Sequence, residues 1–289
     1  MKIKLFKMGM LHTNCYVASE DKDAVIIDPP MYSREVADYI EENKLEVRAI
    51  LLTHGHFDHA LGSPEFSKKY GVKVSAFWCG WEGAAAWDFV DGYHTLGLVP
   101  LYYRKSRIQN LKQGSDFAKK IGVTDVATHM GFLPENCKTD EYSAVIEAIK
   151  EVALYMKQNG QNLLFETGQE TPITLKRTIQ TVGTGNLGIN LDPANLLLYG
   201  KANPCDAVDI FGEYVKNVHA KDGEYPTDPF KLGEEKRIGD GRVNFPLLIK
   251  KLKEKGYDGP LTIEREISGE QQKEDIIYAK KFLEDILNG

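Results

Sequence analysis

Between Leu163 and Asn195 the chain reads LLFETGQETPITLKRTIQTVGTGNLGINLDPAN, two short apolar runs that each end on a carboxylate, Glu166 and then Asp192. The segment between them carries apolar residues at Ile173, Leu175, Ile179 and Val182, a helical spacing closed by a Gly-rich turn. Strand, helix, strand in that order predicts parallel pairing, because a helical crossover returns the chain to the same end of the sheet. Both carboxylates then stand at one face, and in a barrel that face holds the chemistry. Two later runs repeat the device: VKNVHAKDG sets His219 and Asp222 at a strand end, and GPLTIERE sets Glu264 at another. Glu166, Asp192, His219 and Glu264 on four consecutive strand ends form a convergent ligand set for a divalent metal. A purely structural ion network accounts for them less well, since three carboxylates meeting without a cation repel and are hard to keep ionised.

At 289 residues the chain fits one large barrel or two domains. A net charge of -6 offers no basic footprint for nucleic acid. No apolar run is long enough to span a bilayer, so no membrane partner is expected. The start, MKIKLFKMGM, lacks the apolar core and cleavage site of a signal peptide. Cys15, Cys79, Cys137 and Cys205 are widely spaced and form no CxxC pair, which reads as reduced thiols in a cytoplasmic protein.

Residues 2–8, 13–18 and 24–28 read as a small meander of strands. Strand then alternates with helix: a helix capped by Ser33, a strand over 47–53, a helix over 60–70 and a strand over 72–79. The second of these strands runs into LLTHGHFDHALG, which brings His54, His56, Asp58 and His59 together. Clustered imidazoles with a carboxylate suit zinc or iron. With TNCYV at Thr13, VIIDP at Val25 and THGHFDH at Thr53, this opening segment resembles the metallo-β-lactamase superfamily of metallohydrolases. That family needs further His and Asp ligands downstream. The later histidines, His94, His129 and His219, sit in no Gly-His-Thr-x-Gly-His-type motif, so the hydrolase pattern is cut short.

From about Val74 onward, SAFWCGW, DVATHMGFLPEN, LLFETGQETP, LGINLDPANL, VHAKDG, the GDGRVNF turn and LTIEREISGE follow one another. In that order they resemble the xylose-isomerase-like barrels, which include sugar-phosphate isomerases and epimerases and endonuclease IV. The resemblance implies a metal held by Glu166, Asp192, His219 and Glu264, with Glu166 and Glu264 also flanking the substrate as the acid/base pair. It matches His129 and Glu135 to polar positions near the fourth strand. The implied reaction is proton abstraction next to a carbonyl, and the ligand set suits Mn, Mg, Co or Zn without choosing among them. The few histidines and the acidic balance argue against an endonuclease.

Strand ends counted from Val74 fall at residues 74–79, 125–130, 162–166, 187–192, 215–220 and 261–264, six where a closed barrel of this type has eight. The metallohydrolase-like segment supplies two βα units in the right order. The expected fold is therefore an α/β (β/α)8 TIM barrel. Its first two units come from residues 1–73, with an extra N-terminal hairpin, and the rest from residues 74–289. A split chain would leave an open barrel with two bare edges. Joining segments of two families suggests a chimera with its seam near Gly71. On the catalytic face of such a barrel, His54, His56, Asp58 and His59 either form a second metal site or stay a polar loop. Trp78 and Trp81, with Trp87 beyond, either wall a sugar pocket or simply pack. His129, Glu135, Asn195, Lys221 and Asp222 complete the expected substrate contacts. Lys221, Arg237 and Arg242 could meet a phosphate, though surface salt bridges are the commoner fate of such residues. The leading function is a metal-dependent isomerase or epimerase of a small sugar or sugar phosphate. A metallohydrolase using the His cluster and a catalytically silent metal-binding scaffold are the alternatives, and a homo-oligomer is left open.

Overall fold

The computed structural model describes residues 2–51, 57–72 and 74–289. Its chain divides into two units, Met1–Ser75 with Phe117–Val123, and Ala76–Asp116 with Thr124–Gly289. Period-two burial organises the first. Along β2 (Thr13–Glu20) Thr13, Cys15, Val17 and Ser19 are buried while Asn14 and Glu20 are open, the pattern of a sheet covered on one face. β2 pairs antiparallel with β1 (Lys2–Met8) and with β3 (Asp23–Ile27), and β3 pairs parallel with β4 (Glu46–Leu51). The crossover from β3 to β4 is α1 (Arg34–Glu42), which buries Val36, Ala37 and Ile40 on one face. Val36 and Ile40 meet Val17, Ile26 and Phe66 in a shared core. The helix expected over 60–70 forms as α2 (Ser63–Tyr70), with a proline in its first turn and Gly71 in the left-handed conformation ending it.

The second unit holds six parallel strands. They are β5 (Phe77–Trp78), β6 (Asp125–Thr128), β7 (Asn162–Glu166), β8 (Leu187–Leu191), β9 (Val215–Ala220) and, after the two-residue ladder of β10 (Asp222–Gly223) with β11 (Glu235–Lys236), β12 (Leu261–Ile263). Their spatial order is their chain order, as successive right-handed crossovers dictate. β7 and β8 are buried throughout except at Asn162, the composition of strands covered on both faces. The main connecting helices are α3 (Leu101–Lys120), α4 (Asp140–Gln158), α5 (Pro172–Val182), α6 (Pro193–Leu198), α7 (Pro204–Phe211) and α8 (Phe245–Glu254), and α9 (Glu270–Asn288) follows β12. Thr139, Thr171, Asp192, Asn203 and Asn244 cap five of them through side-chain acceptors.

The expected strand over 72–79 is shorter than its apolar run: pairing is confined to Phe77–Trp78, with one further bond from the Cys79 N–H to the Ala127 carbonyl at 2.8 Å. The β3–α1–β4 unit, which the strand count assigned to the barrel, is laddered to β2 in the four-stranded sheet of the first unit. The cysteines are free thiols. Among the described residues no helix is long and apolar enough to cross a membrane.

Candidate metal centre and its cavity

Glu166 is the last residue of β7, and the register sets it beside Asn190 of β8, which in turn pairs with Asn217 of β9. His219, two residues on in β9, lies beside Thr262 of β12, and Glu264 follows that strand with its N–H on the Ala220 carbonyl at 3.2 Å. Asp192 directly follows β8. Its N–H donates to Thr167 Oγ1 at 2.9 Å while the Thr167 hydroxyl donates to the Asp192 carbonyl at 2.8 Å, so the ends of β7 and β8 fix one another. Asp192 Oδ1 caps α6 by accepting the Asn195 N–H at 2.9 Å, which leaves Oδ2 to face the site.

The four side chains foreseen as ligands converge: each of Glu166, Asp192, His219 and Glu264 offers one donor atom within 4.8 Å of the others. His219 Nδ1 stands 2.9 Å from Glu166 Oε1 and 3.2 Å from Glu264 Oε2. Behind it, Asn217 Nδ2 donates to Asn190 Oδ1 at 2.7 Å, which turns the Asn190 amide nitrogen to within 3.1 Å of His219 Nε2. A divalent cation fits this set on two observations. Glu166 Oε2 and Asp192 Oδ2 are buried oxygens without a hydrogen-bond partner, and three carboxylates with one imidazole are hard, oxygen-rich donors.

The charges show the same need. Burial raises Asp192 well above the ordinary carboxylate range; the Lys221 ammonium opposes this and the neighbouring Glu264 and Glu166 add to it. Burial would raise Glu264 too, but its hydrogen bond to His219 and the nearby Lys221 bring it down to about 2. Burial works against the His219 imidazolium, yet the bonds to Glu166 and Glu264 push it up to about 11. Lys221 is itself buried, with Nζ 3.7 Å from both Asp192 Oδ2 and Glu264 Oε2 and bonded to Glu266. His129 is kept neutral by burial, which lowers its pKa. Its Nδ1 lies 3.1 Å from Gln169 Oε1 and its Nε2 3.9 Å from Glu166 Oε2.

Glu166, His219, Glu264, Lys221 and His129 floor a cavity of about 480 Å³, walled by Trp78, Trp87, Leu198, Tyr199 and Leu232. The Trp87 ring meets His129 edge-on at 5.0 Å. Of the residues expected to contact substrate, Trp78, His129, Asn195 and Lys221 line this cavity. Trp81 instead lies between Trp78 and Trp87 in the aromatic cluster, 6.2 and 6.3 Å from them. Glu135 is exposed and borders a different cavity. The Asp222 carboxylate is occupied by the N–H groups of Gly223, Gly239, Gly241 and Val243, so it shapes the GDGRV turn. Arg237 takes the salt-bridge fate, pairing with Asp240 at 2.9 Å. His54 and His56 lie outside the described residues, as does the side chain of Asp58, while His59 Nδ1 sits 3.1 Å from Asp28 Oδ2. Sequence reasoning missed Glu266, Tyr199, Gln169 and the Asn190–Asn217 pair. Period two from Glu264 marks Glu266, and period two back from His219 marks Asn217.

A family model described as xylose isomerase-like TIM barrel matches residues 28–286. A xylose isomerase domain protein from Planctomyces limnophilus has a similar solved structure, with 33% identity, a TM-score of 0.76 and coverage of 86% of this chain and 91% of that one. A D-tagatose 3-epimerase-like protein shares the fold at 21% identity and a TM-score of 0.62, over 90% of this chain and 94% of that one. The N-terminal segment is similar to a probable metallo-hydrolase, YqgX, of Bacillus subtilis, 35% identical over 74 residues, which is 26% of this chain and 35% of the relative. The chain spans from about a third to just under two thirds of the length of the curated relatives it matches. The fold and the match across nearly all of the sequence agree, and the chain belongs to the xylose isomerase-like TIM barrel family.

Proposed function

We propose that the protein is a metal-dependent isomerase or epimerase acting on a sugar or sugar phosphate by proton transfer next to a carbonyl. The observation that carries this reading is the pair Glu166 and Glu264, set on either side of His219 at the floor of an aromatic-walled cavity. A divalent cation held by Glu166, Asp192, His219 and Glu264 would supply electrophilic stabilisation to charge developing on the substrate's oxygens. The protein's own groups do the rest. One glutamate takes the proton from carbon and the other returns it. His219 and Lys221 keep Glu264 ionised. Neutral His129 turns Nε2 toward Glu166, placed to accept a hydrogen bond from a substrate hydroxyl. Trp78 and Trp87 offer faces on which a sugar ring can stack, and they narrow the access of water. The named solved relative, an epimerase-like protein, supports the reaction class.

The test is a metal count followed by solvent exchange. Purified protein is expected to hold one divalent ion per chain, lost in the Glu166→Ala plus Asp192→Ala protein and kept in His54→Ala plus His56→Ala. The loaded protein is expected to exchange a carbon-bound proton of a ketose or its phosphate with deuterated water, read by NMR. Metal loss with the histidine pair instead would sink the isomerase reading. A bound metal with no exchange across the panel would leave a silent scaffold.

The Bacillus match supports a second reading, a metallohydrolase using His54, His56, Asp58 and His59. It predicts zinc-stimulated hydrolysis of an activated ester that disappears in the histidine variant. We also infer that the chain is a fusion with its seam near Gly71. The metallo-hydrolase similarity over 74 residues at the N-terminus supports this, while the barrel-family match already begins at residue 28, well before that seam.

A further inference from the structure

Beside the central cavity's residues, the second unit encloses another cavity of about 280 Å³, near the lower end of the ~300–1,000 Å³ usual for small-molecule sites. Glu170, Gln169, Lys201, Tyr93 and Phe132 are among the residues lining it. Glu170 is buried, and neither of its carboxyl oxygens has a hydrogen-bond partner; the Gln169 Nε2 amide is buried and unpartnered as well. The backbone N–H groups of Gly168, Gln169 and Glu170 favour the charged carboxylate electrostatically without forming such bonds. A buried carboxyl without a bonding partner is costly to keep, which makes Glu170 a group that a ligand hydroxyl would satisfy.

We propose that this cavity is a second binding site, for a neutral polyhydroxylated molecule of about monosaccharide size. The donor and acceptor balance decides the class. Glu135 and Glu141 at the rim disfavour an anion, while the Lys201 ammonium disfavours a cation. A hydroxyl can donate to Glu170 and accept from Gln169 Nε2 or Lys201 Nζ, so a row of hydroxyls satisfies both signs at once. Tyr93 and Phe132 stack on one another at 3.8 Å and Lys201 Nζ lies over the Phe132 ring at 5.4 Å, so the exposed Tyr93 ring is the one that offers a face to the carbon side of a ligand ring. Burial pushes Glu170 up to about 8, so near neutral pH its carboxyl both donates and accepts. The charged or titratable groups around it are Lys201, His94, Glu135, Glu141 and Tyr93. The site stands independently of the reaction proposed for the metal centre; Gln169, whose Oε1 faces His129, and Phe132, edge-on to Tyr199 at 5.9 Å, link it to the central cavity.

Crystals soaked with D-glucose locate the site, and calorimetric titration with D-glucose, D-glucosamine and D-gluconate measures its charge preference. Glucose is expected in the cavity with a hydroxyl on Glu170, and both charged analogues are expected to bind more weakly. Glu170→Leu should weaken glucose binding about tenfold or more with unchanged circular dichroism, while Glu170→Gln, which also donates and accepts, should keep it within about twofold. If Glu170→Leu does not fold, Lys201→Met serves in its place and is expected to weaken binding. Absence of glucose from the cavity, equal affinity in the leucine or methionine protein, or tighter binding of glucosamine would each overturn the proposal.

Discussion

Asp192 and Glu170 are both buried acids raised above the ordinary range, and different agents relieve them. For Asp192 the proposed agent is a cation shared with Glu166, His219 and Glu264. Replacing Glu264 by Gln leaves the shape and removes one charge, so metal affinity is expected to fall at least tenfold, and any proton exchange about 10²–10⁴-fold; dialysis against a metal buffer and NMR exchange read the two. Glu170 shows itself in stability. Its carboxyl moves from 4.5 to about 8 on folding, so between those values the folded chain holds a proton that the unfolded chain has released. Stability contributed at this residue is therefore full below about pH 4.5 and is lost as pH rises toward 8, by a few kcal/mol at most. Glu170→Gln removes the titration. Its Tm is expected to vary less between pH 5 and 8 and to exceed that of the wild type at pH 8; an unchanged slope in calorimetry would assign the effect elsewhere.

The strand-end carboxylates were legible because they follow short, uniformly apolar runs, and β7 and β9 have the limits that their residue patterns imply. Loop 80–97, which carries Trp87, was not. Buried Arg107 in α3 holds it, donating to the carbonyls of Glu82, Ala84, Thr95 and Gly97 at 2.6–3.3 Å and stacking against Trp81 and Tyr103. Burial brings this guanidinium down to about 10, yet its donors are shared among four carbonyls. An arginine within a charged helical stretch gives no sign in sequence that it will turn inward. Gly97 was equally silent: its φ is 68°, and a Cβ there would come within 2.0 Å of the Met130 backbone. Arg107→Met is expected to lower stability by about 3 kcal/mol and to red-shift tryptophan emission as the loop loosens. Asn217→Ala, at the back of His219, is expected to weaken metal binding about 10–100-fold with little change in Tm.

Six parallel strands were countable from the sequence, and six are laddered in the second unit. Their outer members, β5 and β12, are hydrogen-bonded in the ladder on one side only, a costly arrangement for a parallel sheet. Where the two N-terminal βα units belong was not legible, because apolar periodicity tells a strand from a helix but does not name a strand's partner. The proposal that residues 1–73 serve the barrel makes a definite demand of a shortened chain beginning at Ala76. That chain is expected to melt at least several degrees lower or to aggregate, and to lose metal affinity. A soluble product with wild-type Tm and metal content would show that the two units are autonomous.

The double duty of Asp192, one oxygen capping α6 and the other turned to the site, bears on how this sequence can drift. Asn is as good a helix cap as Asp but a far poorer ligand for a hard cation. A lineage relieved of selection for chemistry could thus shed its metal through a single conservative exchange while the protein stayed soluble and abundant. Alanine at the same place would cost cap and ligand together, and quality control would remove many such chains. Descendants that carry Asn at this position are therefore where retired enzymes with intact folds should be sought.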